Sequence, residues 1–309
     1  MACVGHASLD LVFEVDLLPA PGSGKTLARH HQRRAGGMSL HAAIAAARLG
    51  ASARLLGRVG NDEAACFLRA RLAAAGVQAQ GLESVRGAET SCAAVIVDAR
   101  GERQIVIHRG DAIARAHALD TRQLQGAHVV LTDPRWPDGA AAALAWAREH
   151  DVPSLLDADV APPDVIDRLL PLARWVAFSE PGLAAWLRAS AGATLDEQAS
   201  DDALRHARTL GPALALVTQG ALGARWIDDS HHGQRAQAVP APAVQALDTT
   251  GAGDVFHAAL AIALTEGRPR VEAVAWACAA AAYKCRTRSG AEGAPTRGEL
   301  AGWMRQGCR

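Results

Sequence analysis

Short runs rich in Val, Leu and Ile alternate with Ala-rich runs of helical period along almost the whole chain, and no other feature restricts its fold so strongly. Residues 53–56, 128–132, 154–156, 175–178 and 214–218 read as buried strands. Between or beyond them, 39–49, 63–75, 138–150, 202–210, 254–266 and 271–284 space their apolar residues as amphipathic helices do. Strands without polar alternation need cover on both faces, so the pattern predicts a mostly parallel central sheet between two helical layers. At 309 residues the chain is long enough to bury a large core.

Two stretches break the rhythm. In the second, Cys92–Asp98, the turn Ala99-Arg100-Gly101 and Gln104–Ile107 read as a β-hairpin. Together with the first, they predict a small antiparallel β lid built from about 11–34 and 88–110. Because its two parts lie far apart in sequence, the lid should sit beside the main sheet within one domain spanning 1–309. Asp10 is expected at the end of the first strand, where open α/β sheets place ligand groups, although an Asp there also serves as a turn former. Residues 229–233 read as an exposed turn.

Composition excludes several classes of function. Lys and Arg number 32 and Asp and Glu number 32, so no broad electrostatic footprint for nucleic acid or an anionic membrane exists, and any anion must be met locally. The six cysteines form no CxxC pair and no zinc-type cluster, which implies reduced thiols and a cytoplasmic setting. No apolar run reaches membrane-spanning length.

The stretch richest in chemistry is Leu247-Asp248-Thr249-Thr250-Gly251-Ala252-Gly253-Asp254-Val255-Phe256, a Gly-rich turn leading into an apolar helix. Glycines let the backbone approach a ligand, and the first amides of a helix have no partners within it, so such a turn can hold an anion. Asp254 then faces that anion as a weak base, suited to phosphoryl transfer; the same residues also read as a capped helix start. Phe256 stands where a dinucleotide fingerprint needs its third glycine. Pro21-Gly22-Ser23-Gly24-Lys25-Thr26 is not a P-loop, because Pro19 falls where its first glycine belongs. Gly36-Gly37 forms a second turn before a helix, able to bring backbone against a polyol.

In order along the chain, Gly36-Gly37 with its Ala-rich helix, Gly57-Arg58-Val59-Gly60-Asn61-Asp62, and Asp248 to Asp254 resemble the paired signatures of the PfkB/ribokinase family of sugar kinases. The resemblance implies a ribokinase-like three-layer αβα fold and an ATP-dependent kinase. It places Asp254 as the catalytic base, with the amides of Gly251, Ala252 and Gly253 as the anion hole. Asp10, Gly36 and Gly37 match positions that hold sugar hydroxyls, and His41 stands where a substrate-binding Asn is usual. Thr218, Gly220 and Gly223 match the turn beside the nucleotide, and Cys278 falls near the adenine. Asp248, Thr250 and Gly290 fall where many members bind a monovalent cation such as potassium. Magnesium is implied as well, although Ser179-Glu180-Pro181-Gly182 replaces the usual Asn-x-x-Glu. Homodimerisation through the lid is a further implication.

Within the family, Ser23-Gly24-Lys25, the run from Asp133-Pro134-Arg135-Trp136 to Ala140, Leu156-Asp157-Ala158-Asp159, Phe178–Leu183 and Gly253–His257 resemble the sulfofructose kinase branch. That implies 6-deoxy-6-sulfofructose as substrate, converted to its 1-phosphate, with Lys25 and Arg135 on the sulfonate. A sulfonate never protonates at working pH and needs fixed cations, which this pair supplies. His108, with Arg109 beside it, stands at the end of the lid strand where the branch has Asn. The alternatives are a family member acting on a fructose phosphate, a keto-deoxy sugar acid or a nucleoside, and a silent sugar-binding regulator.

Overall fold

Among the described residues thirteen strands, β1 (Ala2–Val4), β2 (Ser8–Glu14), β3 (His30–Gly36), β4 (Arg54–Gly60), β5 (Leu82–Val85), β6 (Ser91–Val97), β7 (Arg103–His108), β8 (Val130–Thr132), β9 (Ser154–Ala158), β10 (Trp175–Ser179), β11 (Leu214–Thr218), β12 (Ala224–Asp228) and β13 (Gln237–Val239), form two sheets. This computed structural model describes residues 1–308 apart from 21, 23, 101, 115–117, 190–194, 230–235, 288 and 289. The nine-stranded sheet has the order β13-β12-β11-β10-β9-β8-β1-β4-β5. Its strands run parallel from β11 through β5, and only the β11–β12 and β12–β13 pairs are antiparallel.

Period-two geometry explains why the inner strands lack polar alternation: both faces are covered. Along β11, Leu214 and Leu216 enter the core shared with helices Met38–Arg48, Ala252–Thr265 and Arg270–Cys285. Ala215 and Val217 enter a second core with helices Pro163–Leu169, Glu180–Trp186 and Glu197–Thr209. The result is three layers, as the alternation predicts. Among the described residues no helix is long and apolar enough to cross a membrane.

The smaller sheet has the order β3-β2-β6-β7 and is the lid. Its outer ladders, β2–β3 and β6–β7, are antiparallel, while a parallel β2–β6 ladder joins the two distant segments. The hairpin predicted over 92–107 is β6 and β7, pairing Cys92 with His108 through Val97 with Arg103.

Asp10 is not at the end of the first strand. The apolar start of the chain is two strands, β1 in the large sheet and β2 in the small one, and Asp10 lies in the middle of β2 opposite Arg34. The crossing occurs at Gly5, whose φ is +152° and whose missing Cβ would overlap the Asp133 carboxylate at 2.2 Å. Helix Glu197–Thr209 starts five residues before the expected 202, because Asp196 caps it through the Ala199 amide and its first turn is polar. The turn expected at 229–233 falls mostly outside the described residues.

Candidate active site

The parallel strands point their carboxyl ends at one side of the large sheet, and the lid stands over that side. The segments that follow β1, β8, β9, β10 and β11 carry His6, Arg135, Asp159, Glu180 and Gln219, the rim where doubly wound sheets hold ligands. A cleft of about 450 Å³ opens between lid and sheet, lined among others by Asp10, Arg34, His41, Arg103, Asp248 and Gly290.

Thr250 lines this cleft, and helix Ala252–Thr265 starts two residues further on. Gly251 caps it in the left-handed region with φ +76°, and a Cβ there would stand 3.1 Å from His41 Nδ1. The Ala252 amide donates to the Thr249 carbonyl at 3.1 Å, so that amide is spent inside the turn. Among the described residues the amides of Gly251 and Gly253 make no such bond, which narrows the anion cradle predicted over 251–253 to these two.

Asp254 projects from the first helical turn and its side chain is 14 % exposed. Its Oδ2 lies 2.9 Å from His41 Nδ1, and His41 Nε2 lies 2.9 Å from the Ala35 carbonyl oxygen. Both ring nitrogens therefore face acceptors, a setting satisfied by an imidazolium that donates to each. Burial opposes that charge, but the bond to Asp254, helped by Ala35 and Asp10, raises His41 above the ordinary histidine range. The structure thus sets His41 against Asp254, a partner the sequence does not give it. Asp10 accepts from Ser8 Oγ at 3.2 Å, and burial raises its carboxyl despite the nearby His41 and Arg34.

Both glycines of the second turn are required sterically. A Cβ on Gly36 would lie 2.3 Å from Asp10 Oδ1, and one on Gly37, φ +100°, would lie 2.5 Å from the His6 carbonyl. Sequence reasoning missed a buried hub at Asp133, which accepts from the His6 amide at 2.8 Å, the Ser39 amide at 3.1 Å and the Arg135 amide at 2.9 Å. That hub fixes the backbone of Arg135, whose Nη2 is 3.4 Å from Asp159 Oδ2. Burial lowers the His6 ring, Asp133 counters it, and Arg135 and Arg109 both lie close enough to push it down again. Arg135 and Arg109 thus both oppose charge on the His6 ring.

His108 does not join them. Alternation along β7 puts it on the face opposite Arg103, and its Nε2 meets Glu89 at 2.8 Å in the open. Lys25 lies in the exposed stretch between β2 and β3 and does not line the cleft. Cys278 is buried within the main core, its thiol pushed up to about 12 by burial, and acts as an apolar filler.

Thr218 ends β11, and Gly220–Leu222 turns the chain back toward β12. Gly220 takes φ +54°; a Cβ on Gly223, φ +97°, would lie 1.9 Å from the Val239 carbonyl oxygen. Behind Asp254, one helical turn on, His257 Nδ1 lies 2.9 Å from Asp157 Oδ2, both side chains almost wholly buried. The pair is off hydrogen-bond geometry. Burial pushes Asp157 up to about 7 although His257 pulls it down, and Asp157 in turn raises His257 against burial. The i, i+3 spacing of Asp254 and His257 was the available sequence signal.

Asp248 and Gly290 share the cleft, as the cation positions should, but Asp248 already carries partners. Arg34 Nη1 stands 3.1 Å from Oδ2, Arg103 Nη2 3.3 Å from Oδ1, and the Thr250 amide donates to Oδ1 at 2.9 Å. Neither arginine was singled out in sequence. In the strands, Arg34 is set opposite Asp10, and Arg103 opens β7.

The family model described as "pfkB family carbohydrate kinase" matches residues 1–297. A ribokinase of Bacillus subtilis is 31% identical over 304 residues, covering 96% of either chain. A fructokinase of Klebsiella pneumoniae is 32% identical, covering 80% of each. The solved Arabidopsis thaliana ribokinase complexed with ribose and ATP superposes with a TM-score of 0.84 at 26% identity, covering 98% of both chains.

Proposed function

Because the chain belongs to the pfkB family of carbohydrate kinases, we propose that Asp254 and the bare amides of Gly251 and Gly253 transfer the γ-phosphoryl group of ATP to a primary hydroxyl of a small sugar. The observation that carries this reading is the Asp254 carboxylate, held by the cleft-lining His41 at a helix start with free amides. ATP runs from the Thr218–Gly223 turn to Gly251, and the sugar lies under the lid against Asp10, Gly36 and Gly37. With Oδ2 of Asp254 engaged by His41, Oδ1 receives the proton of the attacking hydroxyl. The Gly251 and Gly253 amides, at the positive end of the helix, meet charge on the transferred group.

Magnesium fits the oxygen donors at the rim. Asp159, held by Ser179 Oγ at 2.7 Å, and Glu180 would hold it, with water completing a shell of oxygen. When bound it neutralises the phosphates.

For the sugar, Arg135, its backbone fixed at the rim by Asp133, favours an anionic ketose, with 6-deoxy-6-sulfofructose going to its 1-phosphate as the specific proposal. Similarity to ribokinases and fructokinases favours plain ribose or fructose as the second reading. ATP consumption measured with sulfofructose, fructose 6-phosphate, fructose and ribose separates them; faster turnover of the neutral sugars would remove the anionic assignment. A homodimer through the lid is part of the proposal, supported by the open edge β7 with Ile105, Val106 and Ile107 at 51, 64 and 63 % exposure. The cysteines are all free, which supports a cytoplasmic setting.

A further inference from the structure

The position at which the resemblance implies a monovalent cation does not fit one, because the chain fills it. Lys284, in the last turn of helix Arg270–Cys285, is 0% exposed, and its Nζ donates to the Asp248 main-chain carbonyl at 2.6 Å. The same ammonium stands 3.8 Å from Asp248 Oδ1. The carbonyl and carboxylate that a potassium ion would need are therefore both already facing a fixed cation. Arg34 and Arg103 bring two more guanidinium groups to the same carboxylate, so a further positive ion would meet like charge.

We propose that Lys284 is a built-in substitute for the monovalent cation, a positioning residue that holds the Asp248–Gly251 turn so that the phosphoryl-binding amides are set without a bound alkali ion. A buried ammonium is costly unless a site is built around it, and here the site is the backbone of the anion turn itself. The Leu247 and Asp248 amides both donate to the Cys285 carbonyl, at 2.8 and 3.3 Å, so the residue after Lys284 clamps the same turn from the main chain. Between Asp248 and the helix, Thr250 donates its amide back to Oδ1, which passes the placement of Asp248 on to Gly251. The inference rests on the reading of Gly251 and Gly253 as the phosphoryl site and on no particular sugar.

The test compares wild type with Lys284→Met and Lys284→Gln in potassium, ammonium or choline chloride at equal ionic strength. Affinity for an ATP analogue is read by calorimetry without sugar, the melting temperature is read alongside, and turnover is read with whichever sugar is accepted. Wild type should hold its nucleotide affinity within about twofold from zero to about 100 mM potassium, a range over which nonspecific screening is matched by choline. The variants should bind nucleotide and turn over about tenfold or more weakly in choline, the loss expected for one charge-assisted bond, and recover saturably with potassium or ammonium. A purely structural lysine would lower the melting temperature without that rescue. Saturable activation of wild type by potassium overturns the proposal, and so does a folded variant whose affinity and turnover ignore both ions. Should neither variant fold, the wild-type potassium titration decides by itself. An enzyme that binds nucleotide yet turns over none of the sugars fails the substrate reading alone, since the affinity arm remains readable.

Discussion

Replacing His41 by Leu removes the donor to Asp254 while keeping most of the buried volume. The ring makes two bonds, 2.9 Å to Asp254 Oδ2 and 2.9 Å to the Ala35 carbonyl, and only the first touches the proposed base. A charge-assisted hydrogen bond is worth about 1.5–3 kcal/mol, so kcat should fall roughly 10- to 150-fold through a misplaced base. His41→Asn keeps an N–H donor without the charge and should lose far less. The two differ from wild type in pH dependence as well. His41 has a raised folded value, so its stabilisation is complete below about 6.5, the unfolded value, and disappears as pH climbs through the raised value. Above that point the neutral ring keeps one N–H and leaves a lone pair facing one of its two acceptors. The denaturation free energy of wild type relative to His41→Asn should therefore shrink with rising pH. Steady-state kinetics and chemical denaturation across neutral to alkaline pH measure both effects. An undiminished kcat in His41→Leu, or a stability gap to His41→Asn that does not change with pH, would refute the reasoning.

Other predictions are as direct. Gly37→Ala combines φ +100° with a 2.5 Å clash on the His6 carbonyl and should lower stability by several kcal/mol, whereas Gly50→Ala, φ +88° with its nearest atom 3.9 Å away, should cost only about 1 kcal/mol; denaturant melts distinguish them. Arg135→Ala should raise KM for an anionic sugar far more than for ATP; equal effects on both would remove its assigned role. His257→Leu or Asp157→Leu should each destabilise by about 3–5 kcal/mol, while the double apolar replacement should lose less than either, because the single changes strand a buried partner. A double-mutant cycle showing simple additivity would contradict that.

The three-layer core was legible because a strand covered on both faces must be apolar throughout, as 214–218 is, and because Ala-rich helices carry a clear period. The start of the chain was not. The residues up to Asp10 read as one first strand, since nothing in apolar content distinguishes β1 from β2 and only Gly5 marks the change of sheet. Glycine chemistry was readable at Gly36, Gly37 and Gly251, where close approach or a positive φ is needed. The partners of the site were not: His41 meets Asp254 across 213 positions, and Lys284 meets Asp248 across 36, and such contacts leave no local trace. The lid face also escaped reading. His108 and Arg109 are adjacent, and a shift of one residue exchanges which of them shares the face of Arg103.

The most direct measurement is Asp254→Asn, assayed for turnover and, in the same preparation, for binding of an ATP analogue. The amide keeps the shape of the carboxylate and cannot take the hydroxyl proton, so turnover should drop by at least about 100-fold while nucleotide affinity stays near wild type. A variant that still phosphorylates sugar at close to the normal rate would contradict the placement of the reaction at this helix start.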